Sequence, residues 1–255
     1  MSREAFLAFL ARSVADGLLT EDDAVGLLRQ FDAGTLEMPQ GLPLTPAQTN
    51  EGDALAEALA ALAALALLGE AAREALRDRY EVEVQSLAER LARGEMTLSE
   101  WQSAMSRAVR THLYAQALAG GDRTLTPEER AAMEAEAALQ MAYLSRFADG
   151  IAVALLLGVT LTAGYIANRA AQYAGAGWSW WFRASEREGR RGVVVDYVAR
   201  DDDRTCDRCL AAEENGPYLP QSGPMPGQVC RGRGRCRCVR VERYDLAAWR
   251  RLTGG

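Results

Sequence analysis

Five cysteines, Cys206, Cys209, Cys230, Cys236 and Cys238, fall within a 33-residue window of a 255-residue chain that has no cysteine elsewhere. The first two are spaced C-x2-C, a turn that aims two sulfurs at one point. Cys230 follows twenty residues on, and the last two stand as C-x-C after five more. Thiols brought together by a hairpin complete a tetrahedron, the geometry that Zn2+ takes in closed structural sites. The predicted ligands are Cys206, Cys209, Cys230 and Cys236. Residues one apart on an extended strand face opposite ways, so Cys238 is expected to be the spare thiol or the alternate ligand. The intervening "LAAEENGPYLPQSGPMPGQV" is rich in Gly and Pro. It can turn the chain back but offers little core. A bound zinc would supply the missing stability, on the order of 10 kcal/mol for a small module.

Other chemistries fit the spacing less well. A thioredoxin-like dithiol needs a strand-to-helix context, and the three aspartates before Cys206 disfavour an activated thiolate. No ferredoxin spacing is present for an iron–sulfur cluster. A disulfide framework suits neither the odd cysteine count nor an N-terminus, "MSREAFLAFLARSVADGLL", without a secretory pattern. Five buried cysteines without a ligand are the plain alternative. Around the second thiol pair stand Arg231, Arg233, Arg235, Arg237 and Arg240. They are candidate contacts to nucleic-acid phosphates, or they offset the double negative charge of a four-thiolate zinc site.

Nothing else in the chain assembles catalytic machinery. The lone histidine, His112, lies in a helical stretch and excludes H-E-x-x-H peptidases. The zinc-deaminase H-x-E element, a G-x-S-x-G elbow and a Walker loop are all missing. The expectation is a protein that is not an enzyme. Charge is uneven: residues 181–255 hold 15 Arg against 11 acids, while the remainder holds 14 against 24. An acidic body thus carries a basic tail, which permits an anionic partner there.

The elements that must position the thiols are mainly α-helical. Residues 1–34 read as a helical hairpin, with Ser2 capping the first helix and Thr20 the second, and with Gly17 and Gly34 as stops. Residues 35–52, with three prolines and two glycines, read as a linker. Residues 53–190 read as a helical body. Leu55, Leu59 and Leu62 recur at helical spacing, Gly69 interrupts and Gly94 ends the pattern. Ser99 with Gln102 predicts a capping box, and Thr126-Pro127-x-Glu129 predicts another. "ADGLLTEDDAVGLLRQ" and "ARGEMTLSEWQSAMSR" echo each other, as chance turn chemistry would allow. Residues 150–167 carry no charge, close to the roughly 18 apolar residues of a membrane span. Three glycines and two threonines there favour a buried helix, or a pair broken at Thr160 or Thr162. The "GWSWWF" aromatics suit a core seam better than a membrane interface. Residues 191–255 form the cysteine-rich module, a zinc-ribbon-like β-hairpin with the thiols at its ends.

"DDDRTCDRCLAAEENGPYLP" followed by "PGQVCRGRGRCRCVRVE" resembles the phage head morphogenesis family, the Mu F-like minor head proteins. The resemblance extends in texture through "LARGEMTLSEWQSAM", "LQMAYLSRFADGI" and "NRAAQYAGAGWSWWF", covering residues 90–242. Many members place His-Pro shortly before Cys-Arg-Cys, where this chain has Gly232 to Arg235, so Cys230 stands as the replacement ligand. The resemblance implies a structural minor head protein of a tailed phage or prophage, in the capsid interior or at the portal vertex. Before assembly it would be in the host cytoplasm. Its partners would be the portal protein or the major capsid protein, with packaged DNA nearby. Two other readings stand beside it: a zinc-finger-like nucleic-acid-binding protein, and a membrane-associated protein using residues 150–167.

Overall fold

Helix starts are set by side chains that capture the free N–H groups of the first turn. The computed structural model describes residues 2–36, 69–120, 125–186, 191–200, 202, 205–231 and 236–254. Residues 37–52 of the expected linker, and the Leu55, Leu59 and Leu62 pattern, lie outside the described residues. Helix α1 (Arg3–Ala15) begins at Ser2, whose hydroxyl accepts from the Ala5 N–H. Helix α2 (Glu21–Asp32) begins at a reciprocal capping box of Thr20 and Asp23. Helices α3 (Gly69–Ala92) and α4 (Leu98–Gly120) follow.

The start of α4 corrects the expected box of Ser99 with Gln102. Glu100 accepts the Thr97 N–H at 2.7 Å, and Thr97 Oγ1 accepts the Glu100 N–H at 3.2 Å. Beginning the helix at Leu98 places both Leu98 and Trp101 in the core, and the amide of Gln102 is buried too far in to cap. The two echoing stretches now prove to share one turn. Gly17 and Gly94 adopt left-handed φ of 68° and 70°, a conformation open to glycine at little cost. Each is followed three residues later by a capping threonine.

Helix α5 (Pro127–Leu156) starts at the predicted box of Thr126 and Glu129, with Pro127 in its first turn. The uncharged stretch 150–167 is a broken pair: Gly158 turns the chain and Thr162 caps α6 (Ala163–Ala170). Among the described residues, α5 is the one helix long and apolar enough, by length and composition, to cross a membrane. A 3-10 turn (Ala171–Tyr173) leads into α7 (Ala174–Ser185).

Helix α4 is central and packs along α3, α5 and α7. Helix α7 comes close because Gly177 faces the His112 ring, where a Cβ would stand 2.4 Å from Cδ2. Trp180 and Phe182 of the aromatic run are buried. One core joins Phe6, Phe9 and Leu27 of the N-terminal hairpin to Trp101, Leu144 and Trp180 of the later helices. Arg12 adds a two-pronged bond from α1 to Asp149 of α5 at 2.8 and 3.0 Å.

The C-terminal part is a two-stranded antiparallel sheet of β1 (Val193–Val198) and β2 (Val239–Tyr244). Two short helices accompany it, α8 (Asp207–Glu214) and α9 (Leu246–Thr253). Val198 pairs with Val239 at one end and Val193 with Tyr244 at the other. The loop expected to offer little core contributes Met225, fully buried against Phe182 of α7. The sheet is therefore packed onto the helices through a small apolar joint.

Candidate metal centre

The strand register dictates where the thiols meet. Because Val198 faces Val239, the chain leaving β1 and the chain entering β2 lie side by side at one end of the sheet. Cys206 occupies the N-cap position of α8 and Cys209 sits one turn in, its N–H donating to the Cys206 carbonyl at 2.8 Å. This folds the C-x2-C so that the two sulfurs lie 3.5 Å apart. Cys230 returns after the loop to bring its sulfur 4.0 Å from that of Cys206. Sulfurs of a tetrahedral zinc, each about 2.3 Å from the ion, would sit about 3.8 Å apart. The observed spacings bracket that edge.

The sulfurs of Cys206, Cys209 and Cys230 lie within 4.8 Å of one another, and so do those of Cys209, Cys236 and Cys238. All five are free thiols, with Cys209, Cys236 and Cys238 buried and the other two half-buried. These groups are close enough to hold a metal ion. The expectation that Cys236 and Cys238 face apart is corrected. β2 starts only at Val239, so residues 236–238 are not strand and both sulfurs turn inward to Cys209. The C-x2-C also has the strand-then-helix surroundings that its turn-rich sequence did not suggest.

Tyr197 was not foreseen. It is a buried residue of β1, packed among the thiols, and its hydroxyl donates to Cys209 Sγ at 3.4 Å. Burial, that hydrogen bond and the nearby sulfurs raise its pKa, so the phenol stays protonated and remains a donor. Burial likewise pushes the Cys209 thiol up. Cys238 is brought down to about 5, first by a hydrogen bond from the Cys236 thiol and, against burial, by the Arg200 N–H. Cys236 moves the other way, for it holds the proton of that bond and is itself buried. At Cys206 burial opposes ionisation, but the N–H groups of Arg231 and Cys209 outweigh it and the pKa falls. Each triangle thus contains one sulfur disposed to be a thiolate, the form that binds metal.

The arginines divide in space. Arg240 is corrected as a phosphate contact, since its guanidinium is fully buried against Glu186 at the end of α7. It also donates to the Pro224 and Ser222 carbonyls, both at 2.8 Å. Arg237 pairs with Asp202 at 2.6 Å. Arg231 is exposed and stands 3.8 Å from Asp207. Arg233 and Arg235 lie outside the described residues.

His112 is remote from the thiols, stacked on Tyr80 with ring centroids 4.6 Å apart. Burial lowers its pKa from 6.5 to about 4, partly opposed by a backbone hydrogen bond at Ala174. The unfolded chain therefore binds a proton here that the folded chain refuses. Stability present above pH 6.5 is lost as pH falls towards 4, by about 3 kcal/mol at one pKa unit per 1.4 kcal/mol. Denaturant unfolding at pH 7 and pH 4 should show that loss, and His112→Gln should reduce it.

Fold and site together define a helical protein carrying a C-terminal two-stranded module with a cysteine cluster able to bind a metal. No protein-family model matches the chain, and comparison with characterised proteins and with solved structures returned no similar protein.

Proposed function

We propose that this chain is a non-enzymatic structural protein of a tailed-phage or prophage head, with a C-terminal module closed by one zinc ion. The observation that carries the reading is the order C-x2-C, loop, Cys-Arg-Cys, strand, combined with five free thiols gathered at one end of the sheet. Among the described residues the grouped donors are all thiols, a set that suits Zn2+ in a closed structural site. Cys206, Cys209, Cys230 and one of Cys236 and Cys238 would hold it, leaving no open coordination position for catalysis. The metal's part is to staple the loop and the two strand ends. The helical body then offers the surface for the portal or major capsid protein.

A nucleic-acid role for the module is weakened by Arg237 and Arg240, which are both engaged by carboxylates. The test is co-expression with a portal protein and a major capsid protein, taken from the genes that this reading expects beside the one for this chain. The expected result is that it sediments with assembled heads and is retained through washing. Recovery only as free protein would refute the head assignment. DNA binding by the isolated chain, falling steeply as salt rises, would favour a nucleic-acid module instead.

A further inference from the structure

A tetrahedral ion takes four sulfurs and this cluster offers five, arranged as two triangles with Cys209 as their shared corner. We infer that Cys236 and Cys238 are interchangeable fourth ligands to an ion whose other three ligands, Cys206, Cys209 and Cys230, are constant. This rests on the metal reading above. Both thiols are buried, both lie within 4.8 Å of Cys209 and of each other, and neither is fixed in the alternating geometry of a strand. Each sulfur also has its own backbone support. Cys238 accepts from the Arg200 N–H, and Cys236 accepts from the N–H groups of Cys238 and Gly227.

The exchange this permits is balanced. The bond from the ion to the Cys236 sulfur breaks as a bond from the ion to the Cys238 sulfur forms. The proton of the incoming thiol passes to the departing thiolate, whose sulfur lies within 4.8 Å of it. Four thiolates surround the ion before and after, and no charge enters or leaves. The centre would keep its ion if either sulfur were blocked, and it always retains one protonated thiol beside the metal.

Co2+ titration of the reduced full-length chain tests this, because thiolate-to-cobalt absorption reports the number of sulfurs bound. One equivalent with a four-sulfur spectrum is expected for the parent, for Cys236→Ser and for Cys238→Ser. Each single variant should stay within about 100-fold of the parent affinity, the loss typical of removing a ligand's neighbour. The double variant should show three sulfurs and bind more weakly than either. A single variant that already behaves like the double would overturn the interchange and leave the metal reading standing. Two Co2+ per chain would also overturn it, making Cys209 a bridge. A reduced parent that takes up no Co2+ would defeat the metal reading itself. Brief treatment of the zinc-loaded parent with iodoacetamide needs no variant: label divided between Cys236 and Cys238 is expected, and label confined to one of them contradicts the exchange.

Discussion

Cys209→Ser is expected to release the metal and unfold the module while leaving most of the helical signal in place. Cys209 is the one sulfur common to both triangles, so its loss cannot be covered by the fifth thiol. It is buried, and the Tyr197 hydroxyl points at it. What then remains to hold the described part of the module is one two-stranded sheet, which is marginal by itself, a small apolar cluster that is half cysteine, and the joint of Met225 and Arg240 with Phe182 and Glu186 at the end of α7. Against that stands the loss of metal binding on the order of 10 kcal/mol, comparable to the whole stability of an ordinary domain, about 5–15 kcal/mol. The helices have their own core running from Phe6 to Trp180 and do not draw on the ion. Limited proteolysis should cut the variant between β1 and β2 and spare α3 to α7. Strong chelation of the parent should reproduce the pattern. A variant as protease-resistant as the parent would mean that packing alone folds the module.

Glu186→Ala should cost about 3–5 kcal/mol, the range for stranding one member of a buried ion pair. Arg240 has no exposed side-chain surface and Glu186 almost none. Glu186 Oε2 also accepts the Gln221 N–H at 2.6 Å, and the Gln221 side chain donates to the Glu186 carbonyl at 2.9 Å. One carboxylate thereby ties the end of α7, the loop and β2 together, beside the contact of Met225 with Phe182. Removing it leaves a buried guanidinium whose remaining partners, the Pro224 and Ser222 carbonyls and the Tyr218 ring, carry no negative charge. Denaturant unfolding would read the loss directly. Replacing Glu186 with Gln and Arg240 with Met together should cost much less, because no charge is then left buried without a counter-charge. Equal costs for the single and double changes would mean that packing, not charge, sets the value.

The parts of this fold that could be read from sequence are those decided within a few residues. Thr20 with Asp23, and Thr126-Pro127 with Glu129, announce helix starts by local hydrogen bonding alone. A restart at Thr160 or Thr162 inside an uncharged run could be named for the same reason, and the helix takes Thr162 as its cap. Where two local patterns compete, burial decides. Ser99–Gln102 and Thr97–Glu100 both satisfy a capping pattern, and the second prevails because it turns Leu98 and Trp101 inward. The C-x2-C marks two of the five sulfurs. Cys236 and Cys238 could not be assigned by strand alternation, since both precede β2. Long-range pairs leave no local trace. Glu186 and Arg240 are 54 residues apart, and within what looks like one basic stripe Arg240 meets a buried carboxylate while Arg231 and Arg237 meet surface ones.

The most direct measurement is X-ray absorption at the zinc edge, with elemental analysis, on the full-length chain purified under reducing conditions. One zinc per chain, surrounded by four sulfurs at about 2.3 Å, is the expected result. A reduced and folded chain with no bound metal, or an ion ringed by nitrogen and oxygen, would contradict a centre built from these cysteines.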